Sequence, residues 1–492
     1  LYKLYSVKVC VILTIYLAKS KEKTSPKQRA MDHFDEFYGN VYGEHWPPMR
    51  EGLLRRQKYV AVVNNYGNPE ETIELLQNRG AHCLNQLMTI EKKFQKDYPP
   101  PPGKYSNENT SASTERLKED DIPSSSSNET RLPDSDIPKQ VFKSTLTCRE
   151  PKFKTLEQSL AEAEIDESRI IDPSLGITTE ALYQYIPATE LKGMDDYVLE
   201  SSHYSYYNVK DRKDFPLVIE PENEIIYPEH LKVYTYEKGS EYTMFPEPKR
   251  CNTGVFNYYP LDGGSVLAVL CLQLCAGERL LDLCAAPGGK ALVALQTFLP
   301  EVVVCNDVSV SRQNRLNMIF RDYLADYESS DRWRERVVCT RMDGRQFTDD
   351  AGFDKVLVDV PCTSDRHSVS KLNDNNIFRP DRVRERLRMP EMQSQLLASA
   401  LRLVRPGGAV VYSTCSLSPI QNDGAVHMAL KHAFEMHDIV AHVKDLSPCM
   451  PSLSSTLDYA TGSIAPKYGQ LIIPSVEANF GPMYISRLER VR

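Results

Sequence analysis

Cysteines 362 and 415 each end an apolar run, in Val356-Leu357-Val358-Asp359-Val360-Pro361-Cys362 and Val410-Val411-Tyr412-Ser413-Thr414-Cys415. Upstream, Leu280-Leu281-Asp282-Leu283-Cys284-Ala285-Ala286-Pro287-Gly288-Gly289-Lys290 has the form of a strand turning into a ligand-binding loop. Two thiols beside such a loop suit one demanding reaction, methylation of a pyrimidine ring carbon. That carbon is a poor nucleophile until a thiolate adds to its neighbour, a covalent route that divides one hard step into two. One thiol is enough for the addition, so the second needs a job of its own. A single cysteine in either place would more often be a buried core thiol.

The loop carries further candidates. Gly288 and Gly289 leave room for backbone N–H groups to approach a ligand at the start of a helix. Asp307 ends the next apolar run, Val303-Val304-Cys305-Asn306-Asp307, where a nucleoside-binding fold places its partner for ribose hydroxyls. Asp343-Gly344 ends a third run and Asp359 a fourth. Any one of these acids could be a helix cap. In register along successive strands, they fit S-adenosylmethionine, with Asp307 on the ribose, Asp343 near the adenine amine and Asp359 near the reacting centre.

The elements that must hold these residues alternate. Apolar runs at 279–283, 302–306, 337–341, 355–360 and 408–413 are separated by longer helical stretches. This predicts an α/β fold: a doubly wound, mostly parallel sheet, with ligands beyond the carboxyl ends of its strands. The catalytic domain is expected over 241–492. Residues 31–98 read as a helical N-terminal region, through Met49–Val63 and Glu70–Phe94, and 99–140 as a disordered Ser- and Pro-rich linker. Residues 141–240 read as an acidic insertion of unknown fold. Residues 1–30, basic and with Glu22 as their one acid, suit a mitochondrial transit segment or else an unstructured start. The apolar stretch Val9–Ala18 within them is too short to span a bilayer.

The net charge of −8 is unevenly spread, with about −11 on 101–250 and near neutrality on 251–492. Charge therefore gives no global signal for nucleic acid. Twelve cysteines without a CxxC pair argue against zinc ribbons and a disulfide framework, so no metal site is expected.

The segments 282–290, 359–368 (Asp-Val-Pro-Cys-Thr-Ser-Asp-Arg-His-Ser) and 405–422 resemble the NOP/Sun family of RNA cytosine-5 methyltransferases. The likeness covers roughly residues 240–492. Gln57-Lys58-Tyr59, Val63-Asn64-Asn65, Asn375-Asn376-Ile377-Phe378 and Ala478-Asn479-Phe480-Gly481-Pro482-Met483-Tyr484 resemble its mitochondrial ribosomal-RNA branch. The resemblance implies a Rossmann-like methyltransferase domain, with Cys415 as nucleophile and Cys362 assisting product release. DNA-modifying enzymes instead use the Pro-Cys thiol, usually followed by Gln, where this chain has Thr363. The resemblance also implies Asp359 on the cytosine, Lys290 on Asp359 or on the methionine carboxylate, and Arg312 on the cofactor side.

Mitochondrial small-subunit ribosomal RNA is then the expected substrate, in the matrix, with a helical-repeat partner of the mitochondrial transcription termination factor family. Alternatives are a ribosome-assembly factor acting mainly by binding, and a transfer-RNA methyltransferase. Lys371, Arg379, Arg382, Arg384, Arg386 and Arg388 are candidate phosphate contacts, with Arg366 and His367 closer to the chemistry.

Overall fold

In a computed structural model, residues 25–97, 215–240, 244–370 and 376–492 are described. The apolar runs become strands because parallel strands covered on both faces need continuous apolar sequence. β6 (Arg279–Asp282), β7 (Val302–Asn306), β8 (Val337–Thr340), β9 (Phe353–Asp359) and β10 (Val404–Thr414) lie in the spatial order β8-β7-β6-β9-β10, all parallel. The predicted strands match these to within a few residues. β6 has β7 on one side and β9 on the other, so the order reverses there and opens a crevice at the carboxyl ends.

Beyond β10 the sheet departs from a parallel pattern. The strand near the C-terminus, β13 (Met483–Arg490), enters antiparallel between β10 and β11 (Ala441–Asp445), with Tyr412 opposite Ser486. β12 (Gln470–Ile472) pairs with β13, and β3 (Ile219–Pro221) extends the far edge alongside β11. The doubly wound, mostly parallel α/β fold is thus what the chain adopts.

The N-terminal region is mixed where helix was expected. Helices α1 (Pro26–Tyr42), α2 (Trp46–Leu54), α3 (Pro69–Gln77) and α4 (Leu84–Asp97) are present, but Val60–Val63 is strand β1 and His82–Cys83 is β2. Val60-Ala61-Val62-Val63 is buried at every position and rich in β-branched residues, which suits a doubly covered strand and not one helix face. β1 pairs antiparallel with β4 (Val233–Thr235) and β5 (Tyr258–Leu261), in a second sheet ordered β2-β4-β1-β5. Strands β3 and β4 come from within 141–240, so the boundary expected at 241 cuts through both sheets.

Lys92 of α4 pairs with Glu224 at 2.7 Å, so the chain before residue 98 and after residue 214 meets on one surface. The expected linker and most of the expected insertion lie outside the described residues, as do residues 1–24. Pro26–Ala30, expected within the transit segment, instead open α1. Pro26 sits in the first turn, the Ser25 side chain caps the Gln28 N–H, and Ala30 is buried. No helix among the described residues is long and apolar enough to cross a membrane.

Helix α1 is part of the main core. Phe34, Tyr38, Tyr42 and Trp46 share a buried cluster with Val356, Val358, Phe378 and Tyr412. Phe34 meets Phe378 edge-on with ring centroids 5.2 Å apart.

Candidate active site

At the end of β6 the chain turns into helix α5 (Gly289–Gln296). Gly288 has φ +114°, a conformation that favours glycine, and a Cβ there would lie 2.6 Å from Leu316. A Cβ on Gly289 would come within 3.0 Å of Tyr259 and Leu261. Both glycines are buried, and their lack of a Cβ lets the turn press against Leu316, Tyr259 and Leu261.

Asp282 lies beneath this turn. It is 1% exposed, and neither carboxylate oxygen has a hydrogen-bond partner. The Cys284 amide helps electrostatically without completing a bond. Burial, then the neighbouring Asp359, push its pKa up to about 8 against the pull of Lys290. The sequence reading did not assign Asp282 a role, because a strand-end acid looks the same whether or not it is solvated.

Asp307 is buried at the end of β7, accepting from the Ser309 N–H at 3.0 Å and facing Arg312 at 3.3 Å. Arg312 also donates to the Ala286 carbonyl at 2.5 Å, so it ties the acid to the glycine turn. Asp343 is differently engaged. Its carboxylate binds the Arg345 side chain at 2.6 Å and caps the Arg345 N–H, and this pairing holds its pKa below the usual carboxylate value. A Cβ on Gly344 would come within 2.8 Å of Leu396, so that glycine is required by packing. The buried Asn306 was not foreseen. Its amide reaches the carbonyls of Leu283 and Met342, joining the ends of three strands.

The reacting end is more tightly built. Lys290, nearly buried, pairs with Asp359 at 2.7 Å, and Ser413 donates to the other Asp359 oxygen at 2.7 Å. Burial works against the Lys290 ammonium, yet Asp359, Cys415 and Asp282 together hold its pKa above the ordinary value. The two thiols come together, Cys362 Sγ to Cys415 Sγ at 2.8 Å. Ser364 Oγ lies 3.4 Å from Cys415 Sγ and 3.8 Å from Cys362 Sγ.

The pair is electrically unequal. Cys362 Sγ accepts from the Cys415 thiol and, against burial, from the backbone N–H groups of Ser364 and Cys415, which lowers its pKa. Donating to Cys362 and being buried raise that of Cys415 well above the usual thiol value. The first negative charge on the pair therefore rests on Cys362.

One turn of π-helix, Ile420–Gly424, follows the Thr-Cys strand and turns successive side chains inward. Gln421 exchanges hydrogen bonds with Thr363, and Asn422 bonds Thr414 at 2.6 Å and the Ser416 carbonyl at 2.9 Å. Gln393 donates to the Pro361 carbonyl at 2.8 Å. This polar frame holds both cysteine loops, and it left no local signal in the sequence.

The expected basic contacts divide. Arg366 turns away from the thiols and donates to the carbonyls of Gly52, Arg55 and Gly481 and to the Asn479 side chain. It is a clamp on the end of α2, and burial lowers its pKa to about 10. His367 is exposed. Arg379 pairs with Asp381, Arg382 with Glu385, and Arg386 covers the Phe378 ring at 4.8 Å. Arg384 and Arg388 stand exposed on one helix face, while Lys371 lies outside the described residues.

The chain is similar to several known proteins. Residues 269–468 match the family model described as 16S rRNA methyltransferase RsmB/F. The chain is 32% identical over 481 residues to the 5-cytosine rRNA methyltransferase nsun-4 of Caenorhabditis elegans, covering 97% of this chain and 94% of that protein. It is 40% identical over 263 residues to the 5-cytosine rRNA methyltransferase NSUN4 of Xenopus tropicalis, covering 53% of this chain and 63% of the relative. It is 38% identical over 264 residues to the mitochondrial tRNA (cytosine(34)-C(5))-methyltransferase of Danio rerio, covering 50% of this chain and 66% of the relative. The chain thus aligns along nearly all of the worm protein and along less than two thirds of the frog and fish proteins.

Proposed function

Because the chain belongs to the NOP/Sun family of RNA cytosine-5 methyltransferases, we propose that it methylates a cytosine of mitochondrial small-subunit ribosomal RNA through a Cys415–C6 adduct. The observation that carries this reading is the thiol pair, 2.8 Å apart, beside an Asp359–Lys290 ion pair at the carboxyl ends of adjoining strands. Cys415 passes its proton to Cys362 and its thiolate adds to carbon 6, pushing electron density to carbon 5. S-adenosylmethionine, when bound, would supply the electrophilic methyl group for carbon 5. Cys362, again a thiolate once it has released its proton to solvent, accepts the carbon-5 proton. The C6–S bond then breaks and Cys415 leaves as a thiolate. Asp359 receives the cytosine amine or ring nitrogen, and Lys290 holds that carboxylate in place.

The residues present fit the cofactor. The Asp282 carboxylate is a buried acceptor without a partner and suits a cationic ligand, and the Gly288–Gly289 turn, lacking side chains, would let a ligand approach its backbone. Asp307 and Arg312 would flank the ribose. Asp343 would reach the adenine amine only by sharing its carboxylate with Arg345.

Cofactor binding is then linked to a proton. In the free protein Asp282 is mostly protonated below pH 8. A cationic ligand favours the ionised form, so affinity rises with pH up to about 8, by at most about tenfold per unit. Titration calorimetry from pH 6.5 to 8.5 should show this slope with proton release, and Asp282→Asn should flatten it. An affinity independent of pH in the wild type would rule the linkage out.

Mitochondrial-matrix location, a part in mitoribosome assembly and a helical-repeat partner of the transcription-termination-factor family complete the reading. The mitochondrial name of the fish relative supports the compartment. That same relative favours a second reading, transfer RNA as substrate. Bisulfite sequencing of mitochondrial RNAs after depletion of the protein separates the two. Loss of one 5-methylcytosine from small-subunit ribosomal RNA is expected, loss from a transfer RNA would favour the second reading, and no loss in either would sink both.

A further inference from the structure

Behind the two thiols lies a carboxylate that the chemistry above does not use. Asp365 is fully buried and gathers hydrogen bonds from four residues. Thr363 Oγ1 donates to Oδ1 at 2.5 Å, and the Leu417 N–H to Oδ2 at 2.7 Å. Ser416 Oγ lies 3.3 and 3.2 Å from the two oxygens, and Tyr38 Oη donates to Oδ2 at 2.6 Å. The Asp365 N–H in turn donates to the Cys415 carbonyl at 3.3 Å.

The partners are not arbitrary. Thr363 follows Cys362 and Ser416 follows Cys415, so one carboxylate grips the residue next to each thiol. The two hydroxyls are themselves 2.9 Å apart. Tyr38 comes from α1, and Tyr42, one turn later, donates to the Leu417 carbonyl at 2.5 Å. Buried polar groups held this fully allow one arrangement only, because any shift leaves a donor without an acceptor.

We propose that Asp365 is a positioning residue that sets the approach of Cys362 to Cys415, and that Tyr38 makes helix α1 part of the same device. The proposal rests on the two-thiol reading above, but its geometry can be tested without methyl transfer. Diamide, a two-electron thiol oxidant, joins two thiols only when they can meet, so the rate of Cys362–Cys415 cross-linking reports their approach.

In the full-length protein, Asp365→Asn should slow cross-linking at least tenfold and lower kcat with little change in KM. Tyr38→Phe, which removes one hydroxyl and should leave the fold intact, should give about a threefold effect in both measurements. The sign is diagnostic. Asp365 disfavours a thiolate on Cys362 electrostatically, so loss of its charge alone would speed cross-linking. Unchanged or faster cross-linking in Tyr38→Phe and in any folded Asp365→Asn protein would overturn the proposal. Slower cross-linking in a protein whose wild type methylates no RNA would uphold the positioning role and count against the functional reading alone.

Discussion

Cys415→Ala abolishes methyl transfer, and no covalent RNA adduct forms with it. The expected loss in kcat/KM is at least about ten-thousand-fold, as for other nucleophiles acting in a unit with their proton acceptor. Cys362→Ala has a different outcome: Cys415 must give its proton to solvent, so the adduct forms more slowly, but it then persists through a denaturing gel, because the carbon-5 proton has lost its acceptor and the Cys415 thiolate cannot leave. The two thiols are close enough for a proton to pass directly between them, and Cys362 is the one whose pKa is lowered. Attack by Cys415 therefore costs one proton transfer across the pair, and the acceptor for it is already ionised at a lower pH than an isolated thiol would be. If Cys415→Ala is instead the variant that traps RNA, the roles are reversed and the low-pKa thiol is the nucleophile. Restoration of ribosome assembly by Cys415→Ala in depleted cells would point to a binding role separate from turnover.

Asp359→Asn is the second large effect. Lys290 is 8% exposed and has Asp359 as its ion-pair partner, so removal of the carboxylate charge leaves an uncompensated ammonium in the interior. Breaking such a pair from one side destabilises by about 3–5 kcal/mol. Activity should fall by about a hundred- to ten-thousand-fold, the range for losing a positioned acid or base. The double variant Lys290→Met with Asp359→Asn separates the two losses: thermal stability should largely return and activity should not. A single Asp359→Asn protein with wild-type melting temperature and turnover would remove the ion pair from the account.

The sequence revealed what repeats locally. Strands β6 to β10 were visible because a doubly covered strand must be apolar throughout, and Cys362, Cys415, Asp359 and the Gly288–Gly289 turn were visible because they stand where such strands end. Partnership across long separations was not visible. Asp365 looked like one polar residue in a loop, because its partner Tyr38 lies more than three hundred residues upstream. Arg366, next to it, seemed a candidate for RNA, yet its guanidinium serves carbonyls that no local pattern reveals. Strand β1 was hidden in a stretch whose mixed residues also fit a helix. The insertion of β13 against β10 is a pairing choice, and periodicity carries no information about it.

The Lys92–Glu224 contact and the pairing of β1 with β4 close the chain on itself around residues 98–214. Once two points of a chain are joined, further contacts between the same segments no longer bear the entropy of bringing them together. Each of the two contacts, Lys92–Glu224 and Ala61–Tyr234, therefore lowers the entropic penalty of the other.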